Sequence, residues 1–297
     1  MFESAVSIGG SGSFRSANIA KVPFLGASAA YGCGMTDGPA RSDAAGPFRA
    51  AGGPCGALVL HGFTGTPASV LGLASALAGA GFTVEAPLLP GHGTSMDDLI
   101  DKRWEDWSGA AGEAYDHLAS RCDRVVVVGL SMGGTLACWL AARTPAALAG
   151  VVCVNPMIEP PAPSFLDILE GLLAEGVEVM PGIGGDVARP VERGEGGYRG
   201  TPVAASLSLM QALGRLEPRL GRIRSPLLLF TSRKDHVVPP SSSDLLAERV
   251  AGPVERVILE RSFHVATLDW DAELIERRTV EFAGEVTAAG EDRVPVS

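Results

Sequence analysis

Val125-Val126-Val127-Val128-Gly129-Leu130-Ser131-Met132-Gly133-Gly134-Thr135 is the stretch that decides the fold. Four consecutive β-branched residues have the stiffness and apolar character of a strand buried on both faces, as in parallel sheets. Thr135 to Arg143 carries a helical pattern, so the strand passes straight into a helix. A serine at so tight a turn is forced into strained backbone geometry, its hydroxyl projecting above the sheet. Gly129 and Gly133 leave space where a Cβ would strike the neighbouring strand or helix, and Gly134 lets the helix approach the sheet. Gly-x-Ser-x-Gly also occurs in ordinary glycine-rich βα turns. The strand before it and the helix after it favour Ser131 as a nucleophile.

The same alternation extends outward. Ala57 to Leu60 predicts a strand ending at His61-Gly62, Val70 to Ala80 a helix, and Phe82 to Ala86 the next strand. Trp104 to Ala119 predicts a helix ahead of the Val125 strand; Val151 to Val154, Leu227 to Phe230 and Val257 to Leu259 predict further strands. Leu274 to Glu285 predicts a closing helix. Alternating strands and helices imply a mostly parallel, doubly wound α/β sheet covered on both faces.

One gap breaks the rhythm. About 70 residues separate Asn155 from Pro226, far more than an ordinary connection needs. Phe165, Ile168, Leu169, Leu172 and Leu173 recur at helical spacing, and a second helix follows with Leu207, Met210, Leu213 and Leu216 on one face. Between them, Pro181 to Pro202 is rich in Gly, Pro and charge. Such an insertion is expected as a lid over the C-terminal sheet edge, where open α/β sheets bind ligands. Most of its apolar residues would hold the lid down, and a few would face the pocket.

A serine hydroxyl is a weak nucleophile until a base takes its proton. Of the five histidines, His61 and His92 sit in glycine-flanked loops, where bracing is the better reading, and His117 lies in a surface-like helix. In enzymes built on a strand–serine–helix elbow the chain order is serine, acid, histidine. His236 and His264 follow Ser131, and His264 leaves room for an acid on a separate strand end. Asp235 comes just after Leu227 to Ser232, at the C-terminal end of a predicted strand; Asp269 is its rival but lies close behind His264. The oxyanion of a tetrahedral intermediate needs backbone donors. Met132 supplies one, and the loop His61-Gly62-Phe63-Thr64-Gly65 supplies the other, best assigned to Phe63.

Composition narrows the partners. A net charge of −10 argues against nucleic acid, which demands a basic footprint. No apolar run reaches the length of a membrane span. Cys33, Cys55, Cys122, Cys138 and Cys153 form no Cys-x-x-Cys and leave an odd one over; Cys138 and Cys153, in apolar helix and strand contexts, read as buried free thiols, fitting a cytoplasmic location. No ligand-spaced cluster suggests a metal, and no cofactor is expected. Residues 1–45, rich in Gly, Ala and Ser without a period, read as a disordered extension, with Met35 an alternative start. Residues 288–297 read as a flexible tail.

From about Ala45 to Phe282 the chain resembles the α/β-hydrolase superfamily, and within it the bacterial monoacylglycerol lipases and related carboxylesterases. The resemblance rests on Leu60-His61-Gly62-Phe63-Thr64-Gly65-Thr66-Pro67, Gly91-His92-Gly93-Thr94, Gly129 to Thr135, Asp235-His236-Val237-Val238-Pro239-Pro240 and His264-Val265-Ala266-Thr267-Leu268-Asp269. It implies a catalytic triad of Ser131, Asp235 and His264, with Phe63 and Met132 as oxyanion donors. It also implies an acidic cap residue on the glycerol hydroxyls, for which Glu195 stands in the expected place, although Glu195-Gly196-Gly197 is glycine-rich where relatives carry larger side chains. The expected organisation is a hydrolase core over 46–155 and 225–287 and a cap over 156–224. The expected function is hydrolysis of small acyl esters, monoacylglycerol first, with transient lipid-surface contact through the cap. A short-chain carboxylesterase, a thioesterase and a non-catalytic hydrolase-fold receptor are the alternatives.

Overall fold

The computed structural model describes residues 46–144, 148–182, 185–190 and 197–288. The expected extension, most of the expected tail, and Glu195 lie outside them.

Strand β1 (Phe48–Ala50) is followed by β2 (Cys55–Leu60), helix α1 (Leu71–Gly79) and β3 (Thr83–Ala86). Helices α2 (Met96–Ile100) and α3 (Trp104–Ala119) lead to β4 (Arg124–Leu130), α4 (Met132–Arg143) and β5 (Leu148–Val154). The insertion contributes α5 (Pro163–Ala174), β6 (Val179–Pro181), β7 (Gly200–Pro202) and α6 (Val203–Leu216). The chain then re-enters the sheet with β8 (Leu227–Ser232), α7 (Ser241–Arg249), β9 (Val254–Leu259) and α8 (Ala272–Ala288). The main sheet has the order β1-β3-β2-β4-β5-β8-β9, with β1 antiparallel and every other pairing parallel.

The valine run lies on β4, at the centre of this order. Val125 and Val127 join the core beneath α3 and α4, whereas Val126 and Val128 join the core beneath α1 and α8. Strand alternation therefore feeds two hydrophobic layers, and a polar residue on either face would be stranded without water. Because β2, β4, β8 and β9 run parallel, the loops after all four emerge at one edge of the sheet. That edge receives Phe63, Ser131, Asp235 and His264.

The structure adds elements that the sequence reading lacks. β1 is three residues long, too short to show alternation. Helix α7 opens on Ser241-Ser242-Ser243-Asp244, a composition that reads as loop. β6 and β7 form a separate two-stranded antiparallel sheet at the two ends of the expected Gly/Pro-rich stretch. The two insertion helices differ in burial. α6 buries Leu209, Met210, Leu213 and Leu216, whereas α5 fully buries Leu169 alone and leaves Ile168 36% exposed.

Sterics at the turn after β4 are unforgiving. A Cβ on Gly133 would land on the backbone carbonyl of Leu60 in the neighbouring strand, and one on Gly129 would land on the backbone of Gly133. Overpacking against backbone costs about 1–3 kcal/mol. Gly133→Ala should accordingly lower the midpoint of thermal unfolding by several degrees, on the order of 2–4 °C per kcal/mol for a chain of this size. Gly79→Ala, where a Cβ meets nothing within 4 Å, should leave it unchanged or raise it slightly in the same calorimetric scan.

Candidate active site

Ser131 takes φ 55° and ψ −118°, a conformation rare outside glycine, between the end of β4 and the first turn of α4. Neighbouring backbone fixes it there: its N–H donates to the Val154 carbonyl at 2.9 Å, and its carbonyl accepts the Thr135 N–H at 3.1 Å. The Gly62 position lies over it, where a Cβ would stand 3.4 Å from Ser131 Cβ and 3.9 Å from its Oγ. The loop carrying Phe63 thus lies directly against the serine.

Asp235 and His264 come together across the ends of β8 and β9. His264 Nδ1 and Asp235 Oδ2 are 2.7 Å apart, with both side chains buried. The second carboxylate oxygen of Asp235 accepts the N–H groups of Val237 at 2.8 Å and Val238 at 2.7 Å. With one oxygen fixed by backbone, the other is aimed at the imidazole. Such a bond selects the tautomer with a proton on Nδ1 and leaves Nε2 to act as acceptor. Asp269, the rival acid, has both oxygens occupied by backbone amides, those of Ala188, Arg189, Phe263 and Trp270. His236, the rival base, is half-exposed and pairs with Asp186 at 2.9 Å.

Two buried histidines shape the loop opposite. His61 Nδ1 donates to the Gly62 carbonyl at 2.9 Å while its Nε2 accepts the Leu89 N–H at 3.1 Å. His92 Nε2 accepts the Thr64 N–H at 3.1 Å and its Nδ1 donates to the Pro90 carbonyl at 3.1 Å. Each ring therefore uses one nitrogen as donor and the other as acceptor, which requires the neutral form. Burial pushes His61 down to about 4 and His92 to about 3, the nearby His61 ring lowering His92 further. Their role is to brace the Phe63 loop. Thr64, at φ 62°, is the bend they hold.

Met132 is the first residue of α4, where helix amides have no intrahelical acceptor. Among the described residues, neither its N–H nor that of Phe63 donates to a protein acceptor, the state an oxyanion donor requires. Glu195 lies outside the described residues. Nearby Tyr198 reaches the site's wall: its N–H donates to the Thr64 carbonyl at 3.1 Å, and its hydroxyl donates to the Gly91 carbonyl at 3.0 Å.

Asn155 enters the sequence reading only as the end of a strand, with no part in the site. It directly follows β5 at φ 45°, donates from Nδ2 to the His264 carbonyl at 2.8 Å and to Ser232 Oγ at 2.9 Å, and accepts the Ser232 N–H at 2.7 Å. It ties the end of β8 to the histidine loop. The available signal was an amide closing the otherwise apolar run Val151 to Val154.

A strained serine between strand and helix, with a buried Asp–His pair at the same edge of a mostly parallel sheet, defines the nucleophile-elbow class of α/β proteins. The chain belongs to the Alpha/beta hydrolase family, which it matches over residues 57–277. It is 40% identical over 239 residues to a thermostable monoacylglycerol lipase of Bacillus sp. (strain H-257), covering 80% of this chain and 93% of that one. It is 28% identical to a carboxylesterase of Bacillus subtilis (strain 168), covering 80% and 95%. A solved structure from work on LipS and LipT, two metagenome-derived lipolytic enzymes, superposes with a TM-score of 0.77 at 37% identity, covering 82% of this chain and 98% of that one.

The neutral histidines predict an acid-labile fold. An unfolded histidine binds its proton near pH 6.5, whereas these two do so in the folded state only near 4 and 3. Their contribution to stability is therefore complete above pH 6.5 and is lost as pH falls toward those values, at up to about 1.4 kcal/mol per pH unit for each. In urea unfolding between pH 6 and pH 4.5, His92→Asn should be less stable than the parent at neutral pH yet lose stability less steeply, by about that amount per unit.

Proposed function

We propose that this protein hydrolyses carboxylic esters through an acyl-enzyme on Ser131, and that its substrate is a monoacylglycerol. The observation that carries the reading is the strained Ser131 elbow on the same sheet edge as the 2.7 Å Asp235–His264 pair. The substrate class is supported by 40% identity to a monoacylglycerol lipase across nearly its full length.

His264 takes the proton of Ser131 as Oγ attacks the acyl carbonyl, and the amides of Phe63 and Met132 receive the oxyanion. His264 then gives that proton to the departing alcohol. Water, deprotonated by the same ring, attacks the acyl-serine and releases the fatty acid. Asp235 stays ionised and stabilises the imidazolium. The insertion over residues 156–224 serves as the cap that shapes the alcohol side. Glu195 is our assignment for the glycerol hydroxyls. Among the described residues four cysteines are free, with the Cys138 and Cys153 sulfurs 3.7 Å apart as thiols, which supports a reducing cytoplasm.

A broader carboxylesterase is the second reading, supported by the 28% identical relative of that name. Rates on monoacylglycerols, short-chain methyl esters and acyl-CoA separate the two, a preference for the first being expected.

A fluorophosphonate probe should label the parent at Ser131 and fail on Ser131→Ala. Ester hydrolysis surviving in that variant would sink the mechanism. Asp235→Asn should lower kcat by roughly 10,000-fold by releasing the imidazole from its required tautomer. Glu195→Gln should raise KM for monoacylglycerol while leaving p-nitrophenyl butyrate unaffected. Equal effects on both substrates would remove Glu195 from the alcohol pocket.

A further inference from the structure

The short segment 185–190 belongs to the insertion, yet its polar contacts go to the loops that carry the candidate acid and base. Asp186 Oδ2 accepts the backbone N–H of His264 at 3.1 Å and that of His236, the residue after Asp235, at 3.2 Å. Its Oδ1 faces His236 Nδ1 at 2.9 Å, and its backbone carbonyl accepts the Val265 N–H at 3.0 Å. The Asp186 side chain is only 12% exposed, so these bonds are largely shielded from water. Downstream, Asp269 accepts the amides of Ala188 at 2.7 Å and Arg189 at 3.0 Å, and also that of Phe263 at 2.9 Å. One carboxylate therefore clasps the segment and the histidine loop together.

The β8–β9 ladder ends with Ser232 opposite Leu259, before either Asp235 or His264 is reached. Past that point Asp186 ties the two loops to each other, and Asn155 and Ser232 tie the histidine loop to the sheet from behind. A charge-assisted bond of 2.7 Å weakens steeply if its partners drift apart.

We propose that Asp186 is a positioning residue for the acyl-transfer reaction: a carboxylate from the insertion staples the Asp235 loop to the His264 loop and holds the acid–base pair in register. The proposal rests on the ester-hydrolase reading above. It makes the insertion part of the machinery that sets rate, in addition to its role over the substrate.

Asp186→Ala removes both acceptors. Asp186→Asn keeps one oxygen for the two amides and can turn its NH2 toward a neutral His236 ring, so it preserves the staple without the charge. Turnover of p-nitrophenyl butyrate is measured for both, with kcat normalised to the sites a fluorophosphonate titrates, which discounts misfolded protein. The Ala variant should lose about 10- to 100-fold in kcat with KM within about twofold, as expected for misplacement of reacting groups. The Asn variant should recover most of that loss. Parental kcat per titrated site in Asp186→Ala would overturn the proposal, as would an Asn variant no better than Ala. If the parent itself fails to label at Ser131, the ester-hydrolase reading falls. If the parent labels and the Ala variant turns over equally well, only the staple falls.

Discussion

The backbone of Ser131 is the constraint around which the rest of the structure is arranged. A non-glycine residue at φ 55° costs on the order of 1–3 kcal/mol and persists only where its surroundings leave no alternative. Here the alternatives are closed by close approach. Gly129, Gly133 and Gly134 let β2, the start of α4 and Pro156 come within distances that any side chain would forbid. The strand feeding the turn is buried on both faces, so the strain is offset by two hydrophobic layers and never relaxes into solvent. The serine is consequently held at the sheet edge by the packing of the chain itself, which is what preorganisation of the proposed nucleophile requires.

The wall facing the serine follows a different logic. It is an irregular loop, and irregular backbone carries amides that must find acceptors or be left free on purpose. His61 and His92 supply acceptors for Leu89 and Thr64 from deep burial, and the Trp107 indole donates to the Pro90 carbonyl that His92 also holds. Neutral imidazole suits this task because one ring both donates and accepts. The same loop leaves the Phe63 N–H free of protein acceptors among the described residues. Satisfying the neighbours rigidly while sparing one donor is what the proposed oxyanion role asks of this loop.

The sequence made the central architecture readable because its physics is local. Val125 to Val128 could be nothing but a buried strand, Trp104 to Ala119 matches its helix from end to end, and parallel connections send the C-terminal end of every parallel strand to one edge. Ser131, Asp235 and His264 were nameable because each stands just past an apolar run. Asn155, Asp186 and Tyr198 were not, because their partners lie far away in sequence: Asn155 meets His264, Asp186 meets His236, and Tyr198 meets Thr64. No periodicity reports such contacts. Asp269 was set behind Asp235 because it lies so close after His264, and the four amides gathered on its oxygens show the task it has instead, that of an anchor.

These long-range ties change what the insertion means. On one side Tyr198 joins it to the Phe63 loop; on the other, Asp186 and Asp269 join it to the loops of Asp235 and His264. Its helices are held unequally, α6 sunk into the core and α5 left with a half-exposed apolar face. α5 is therefore the less constrained helix of the insertion, whereas the segments that carry Tyr198 and Asp186 are bound to the loops of Phe63, Asp235 and His264. As the proposed cap, an insertion built in this way couples two properties usually treated as separable. On the reading proposed above, a change at α5 would alter which acyl ester enters, while a change at those segments would alter how well the proposed acid, base and oxyanion loops stay aligned once it has.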